Sequence, residues 1–146
     1  MKILVLHGPN LNLLGEREPS LYGTLTLAEI DARIAARGQE LGLEVRSAQS
    51  NVEGILVDAI QDARSWAAGI ILNAGGYSHT SVAIRDAVAS ITIPTVSVHL
   101  TNPAAREEFR RTDILATAAK GAVAGFGWRS YIVALDGLAA LLRPTE

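Results

Sequence analysis

Apolar and polar positions alternate along this chain with two different periods. ILVLH at 3–7 and GIILNA at 69–74 are unbroken apolar runs, the pattern of strands buried on both faces. TVSVHL at 95–100, opened by Pro94, reads as a further strand, and the small-residue run 117–125 as a fifth. LEVRSA at 43–48 alternates instead, which predicts a strand nearer the edge of a sheet. The stretches between follow helical spacing. Thr26-Leu27-Ala28-Glu29 is a capping box that opens a helix to about Leu41, with Ile30, Ile34 and Leu41 on one side and Gly42 as its stop. Ser50-Asn51-Val52-Glu53 is a second box, predicting a helix through Leu56, Ala59, Ile60 and Ala63 to about Trp66. Helices are also predicted over 78–90 and 128–142, and a short one over 106–111.

Five strand–helix units in succession imply a parallel sheet covered on both faces. At 146 residues the expectation is one domain, 1–146, α/β, with the doubly wound, flavodoxin-like strand order 2-1-3-4-5. Ligands of such folds bind beyond the C-terminal strand ends, near the switch between strands one and three. Three strands end in polar residues there: His7-Gly8-Pro9-Asn10, Asn73 through His79, and His99-Leu100-Thr101-Asn102. Strands one, three and four are neighbours in this order, so these exits should converge on one crevice. About sixteen residues (11–26) separate the first strand from its helix, far more than the usual βα connection, and should hang over that crevice.

Composition narrows the chemistry. Apolar residues make up 49% of the chain and aromatics 5%, which favours an aliphatic α/β core over an aromatic sandwich. The net charge of −2, with signs interspersed, gives no support for a nucleic-acid or membrane partner. Without cysteine there are no disulfides or thiolate metal sites, and the three histidines lack close metal-ligand spacing. The start reads as a strand rather than a signal peptide, and no apolar run reaches membrane-spanning length, so a soluble cytoplasmic protein is expected. No GxGxxG, P-loop or GxSxG pattern occurs, nor the acidic pair of a receiver domain or the Ser/Thr-rich loop of a flavin site. Lys2 and Lys120 both fall away from the expected crevice, which disfavours Schiff-base chemistry. Cofactor-free acid–base chemistry on a small polar anion is what remains.

Each candidate residue has a bland reading and a functional one. Tyr22 is a packing residue with its hydroxyl in water, or a base. A phenol ordinarily ionises near pH 10, so a tyrosine base near neutrality must be brought down by about three pH units, roughly 4 kcal/mol. A guanidinium does this while staying charged itself. Arg17 lies on the same loop, although it also fits a solvated charge or a pair with Glu16 or Glu18. His99 at a strand end is a satisfied core histidine or a proton donor to a leaving group. Asn73, with backbone N–H groups near Thr101, suits a carboxylate or oxyanion. Gly75 and Gly76 allow close backbone approach to a ligand, or simply a tight turn. Arg106 and Arg110 share a face if their segment is helical, as do His79 and Asp86. The alternatives are a pair with Glu107 for the arginines, and with Arg85 or a neighbouring chain for Asp86.

Three blocks, GPNLNLLGEREPSLYG, NAGGYSHTSVAIRDA and VHLTNPAAREEFR, together resemble the type II 3-dehydroquinate dehydratases over nearly the whole chain. The resemblance implies a flavodoxin-like subunit, a dodecamer built as four trimers, and dehydration of 3-dehydroquinate to 3-dehydroshikimate without metal or cofactor, in the shikimate route or in quinate breakdown. It implies Tyr22 as base assisted by Arg17, with Asn10 steadying an enolate through a water. It implies His99 as the acid, and Asn73, Leu100 and Thr101 as a carboxylate pocket. His79, Arg110 and Asp86 would bind hydroxyl groups, Asp86 from an adjacent subunit, and the 11–26 loop would be a lid. Two positions depart from the family pattern. Ala74 stands where proline is common, and Ser97 where a glutamate usually lies two residues before the histidine. Positions 97 and 99 share a strand face. The expectation is therefore an imidazole supported only by a neutral hydrogen bond, easier to deprotonate, with an altered limb in the pH–rate profile. Thr101 in place of serine keeps the hydroxyl. Two competing readings remain: a divergent homologue acting on a related hydroxy acid, and a non-catalytic binding protein that keeps the fold.

Overall fold

A computed structural model describes residues 1–144. Strands β1 (Lys2–His7), β2 (Glu44–Gln49), β3 (Gly69–Asn73), β4 (Thr95–His99) and β5 (Gly121–Ala124) form one parallel sheet in the order β2-β1-β3-β4-β5. This is the flavodoxin-like order expected from the sequence. Helices α1 (Pro19–Tyr22), α2 (Leu27–Glu40), α3 (Glu53–Ala63), α4 (Tyr77–Thr80), α5 (Val82–Ala89) and α6 (Arg129–Leu142) complete it, with 3₁₀ turns at Leu11–Leu13, Pro103–Ala105 and Glu108–Arg111.

Alternate β1 side chains face opposite layers, as the two-residue period requires. Ile3 and Val5 pack with Ile30 and Ile34 of α2 and with Tyr131, Leu135 and Leu138 of α6. Leu4 and Leu6 pack with Leu56 and Ile60 of α3 and Ile84 of α5. Every residue of β3 is buried, whereas the alternating strand β2 is mostly exposed at the sheet's edge. Among the described residues no helix is long and apolar enough to cross a membrane.

Four local expectations need correction. The predicted 78–90 helix is two helices, because Ser81 is extended (φ −89°, ψ 98°) and its hydroxyl starts α5 afresh by accepting from the Ile84 N–H. That hydroxyl also donates to Glu53 Oε2 at 2.6 Å. Ser50 does not cap α3: its Oγ accepts from the Val52 N–H instead, and the helix begins at Glu53 and ends at Ala63. The 106–111 segment contains only a 3₁₀ turn, and β5 is confined to 121–124. The Thr26 box stands, with Thr26 Oγ1 accepting from the Glu29 N–H.

Candidate active site

β1, β3 and β4 end side by side, and the loops that follow them enclose an open crevice of about 440 Å³. The 11–26 segment forms one wall. Its first half is anchored by Leu11 and Leu14, both buried in the α2/α6 layer. Its second half forms α1, which ends on Tyr22.

The Tyr22 hydroxyl faces two guanidinium groups. Arg17 Nη2 donates to it at 3.1 Å, and Arg106 Nη1 at 2.9 Å. Arg17 also lies over the ring, 4.3 Å from the centroid. The phenol oxygen thus accepts from two charged donors at once. Arg106 comes from the irregular 103–111 segment, 84 residues away in sequence, and also reaches Thr101 Oγ1 at 3.4 Å.

His79 and His99, which line the same crevice, stack at 6.0 Å with planes 14° apart. Both are held by one piece of chain. His79 Nδ1–H donates to the Thr112 carbonyl at 2.8 Å, which leaves its Nε2 as an acceptor. His99 Nε2–H donates to Asp113 Oδ2 at 2.9 Å. The expectation that Ser97 would be the neighbour of His99 is therefore corrected. Ser97 Oγ is buried without any partner, and a carboxylate from another segment supports the imidazole. Burial works to raise the Asp113 carboxyl, but the His99 hydrogen bond, the Ala116 N–H and the two nearby imidazoles outweigh it and hold the group below its usual range.

The floor is Asn73. Its Oδ1 accepts from the Gly75 N–H at 3.1 Å, which fixes the amide flip, and its Nδ2 donates to the Tyr131 hydroxyl at 3.0 Å. Tyr131 then donates to His7 Nδ1 at 2.8 Å, and His7 Nε2–H donates to Asp31 at 2.7 Å. The donors all run one way, from the crevice floor to the rim of α2, and fix His7 as the Nε2–H tautomer. Burial pushes the Tyr131 phenol far above its ordinary range, which suits a neutral link in that chain. The turn after β3 is closed without a proline at 74. Gly8 N–H donates to the Asn73 carbonyl at 2.7 Å, and Gly75 takes φ +58°. A Cβ on Gly8 would stand 2.6 Å from the Ala74 backbone, so only glycine fits.

Of the residues singled out from sequence, Arg17, Tyr22, Asn73, His79, His99, Leu100, Thr101 and Arg110 line the crevice, with Gly75 and Gly76. Arg106 lines it too, although its segment is not the helix that would have put it on one face with Arg110. Asn10 and Asp86 do not line it. Asn10 is exposed in a left-handed conformation (φ 69°), its N–H on Asn51 Oδ1. Asp86 pairs with Arg85 at 3.1 Å and lies on α5, not on one helix with His79. Asp113 and the Asp31–His7–Tyr131 chain escaped sequence reading. Their signals were slight: an acid following the FRRT run, and Asp31 beside the buried Ile30.

The fold and this crevice define a flavodoxin-like α/β protein with a polar pocket at the C-terminal strand ends. A family model described as dehydroquinase class II matches residues 1–139. The chain is 55% identical over 142 residues to a 3-dehydroquinate dehydratase of Ruegeria pomeroyi, covering 97% of this chain and 95% of the relative. It is 52% identical over 143 residues to one of Nostoc, covering 98% and 97%. A crystal structure of the type II dehydroquinase from Propionibacterium acnes superposes with a TM-score of 0.92 at 40% identity, over 95% of this chain and 96% of that one. The chain belongs to the class II dehydroquinase family.

Proposed function

We propose that this protein dehydrates 3-dehydroquinate to 3-dehydroshikimate by acid–base catalysis through an enolate, as a step of the shikimate route. The observation that carries the reading is the Tyr22 oxygen held between Arg17 and Arg106. As a phenolate, Tyr22 takes the proton alpha to the substrate ketone. Asn10 steadies the enolate through a water once the lid closes. Collapse of the enolate breaks the bond to the β-hydroxyl, which leaves as water carrying a proton from His99. The product is the conjugated enone, and exchange with solvent returns one proton from Tyr22 to His99. Asn73, with the backbone at Leu100 and Thr101, receives the substrate carboxylate, while His79 and Arg110 bind its hydroxyl groups.

Asp86, turned away from the crevice of its own chain, serves a neighbouring subunit in a dodecamer of four trimers. Purified protein with 3-dehydroquinate and a chelator should develop the ultraviolet absorbance of the enone; folded protein that does not would refute the assignment. Light scattering beside the assay tests the assembly, and a fully active monomer would refute it.

A further inference from the structure

Ser97 and His99 project from the same face of β4, so a side chain at 97 is the natural support for the imidazole. Here that place holds a serine whose Oγ, with no solvent access, makes no hydrogen bond. The support comes from Asp113, in the irregular chain beyond the 3₁₀ turn Glu108–Arg111.

That segment is fixed at both ends of the acid. On one side the Thr112 carbonyl accepts from His79. On the other, Ile114 N–H donates to the Ser78 carbonyl at 3.0 Å, and Leu115 is buried in the α3/α5 layer. The carboxylate is itself oriented, since Oδ1 accepts from the Ala116 N–H at 2.9 Å and leaves Oδ2 for His99. Among the described residues His99 Nδ1 has no protein hydrogen-bond partner. With Nε2–H committed to Asp113, Nδ1 is the nitrogen free to carry the transferable proton.

We infer that Asp113 is the positioning residue for His99: it fixes the ring and its tautomer, favours the imidazolium, and takes over a task that β4 does not perform. The inference deepens the proposed function and rests on it for the reaction that His99 serves. Besides Asp113, His79 is stacked on the ring, and Arg17, Tyr22, Arg106 and Arg110 line the same crevice. The Asp113 carboxylate on Nε2 sets a negative charge against the Arg17, Arg106 and Arg110 guanidiniums that share the crevice.

The test compares Asp113→Asn and Ser97→Ala with the wild type. Asparagine retains an oxygen for the Ala116 N–H, so the segment keeps its fold, which circular dichroism checks. Two readouts are taken: a ¹⁵N NMR titration of the His99 imidazole, which needs no substrate, and the pH dependence of kcat and KM for 3-dehydroquinate. In Asp113→Asn the His99 midpoint moves to lower pH and the Nε2–H tautomer preference weakens. Its kcat drops about tenfold or more at neutral pH with KM little changed, and the limb belonging to the acid moves the same way. Ser97→Ala matches the wild type in both readouts. A His99 titration unchanged by Asp113→Asn, or a shift produced by Ser97→Ala, overturns the inference. Absence of turnover in the wild type would refute the proposed reaction and leave the NMR result to decide on Asp113.

Discussion

Two histidine–carboxylate pairs of nearly equal length stand at the ends of two strands that flank β3. His7, on β1, holds Asp31 at 2.7 Å; His99, on β4, holds Asp113 at 2.9 Å. Their surroundings separate them. The His7 side chain is wholly buried and its second nitrogen is bound to Tyr131, so the ring is a closed link in a structural chain. The His99 side chain keeps 11% of its exposure, and its second nitrogen is unclaimed by protein among the described residues. The same pair of groups therefore does two different things. Around His7 it fixes a tautomer and steadies the Asn73 amide on the crevice floor. Around His99 it holds the ring by one nitrogen and leaves the other for the role proposed for it. What distinguishes the two histidines is the fate of the other nitrogen.

Removing each ring should separate the roles most sharply. His99→Gln should lower kcat by about 10²–10⁴-fold while the protein stays folded, because a positioned acid supplies roughly that factor. Exchange of the substrate's α-hydrogen with D₂O, followed by NMR, should persist in this variant, since Tyr22 acts before the hydroxyl leaves. Loss of exchange together with dehydration would deny His99 a separate role.

On the buried side, Tyr131→Phe should leave His7 Nδ1 and one Asn73 N–H without partners. Denaturant unfolding should show a loss of about 1–3 kcal/mol, the cost of burying unpaired polar groups. KM should rise more than kcat falls, because the Asn73 amide proposed to receive the substrate carboxylate loses its anchor. Unchanged stability would mean that the chain from Asp31 to Asn73 contributes little to the fold.

The smallest effect concerns acid. The Asp113 carboxyl is held below its ordinary value in the folded protein, so its contribution to stability is fully present above the unfolded value, near pH 3.9. It is lost as pH falls through the lowered folded value. Between neutral pH and pH 3, Asp113→Asn should therefore lose less stability than the wild type, by thermal unfolding at each pH; a larger loss would contradict that sign.

Much of this architecture was legible in the chain because it rests on local periodicity. Unbroken runs marked β1 and β3, alternation marked the edge strand β2, and strand–helix succession set the order. The convergence of strand exits accounts for Asn73, His79, His99 and Thr101 meeting in one crevice. Features that depend on a competing hydrogen bond were not legible. Ser50 and Ser81 both precede helices, yet only Ser81 caps one, because Ser50 spends its oxygen on Val52. Partners brought by irregular chain were equally hidden. Arg106 reaches Tyr22 from an irregular segment rather than a helix, and Asp113 meets His99 across a loop with no periodic signal. Tyr131 sits in the apolar stripe of α6, where only its hydroxyl betrays a polar task.

The most direct test lies at the Tyr22 oxygen between Arg17 and Arg106. Tyr22→Phe removes that oxygen and leaves the ring in place. Turnover of 3-dehydroquinate should vanish, α-hydrogen exchange should vanish with it, and folding and substrate binding by calorimetry should stay close to wild type. If the phenylalanine variant still dehydrates the substrate at a comparable rate, Tyr22 is not the base, and the reading of the whole crevice built around it fails.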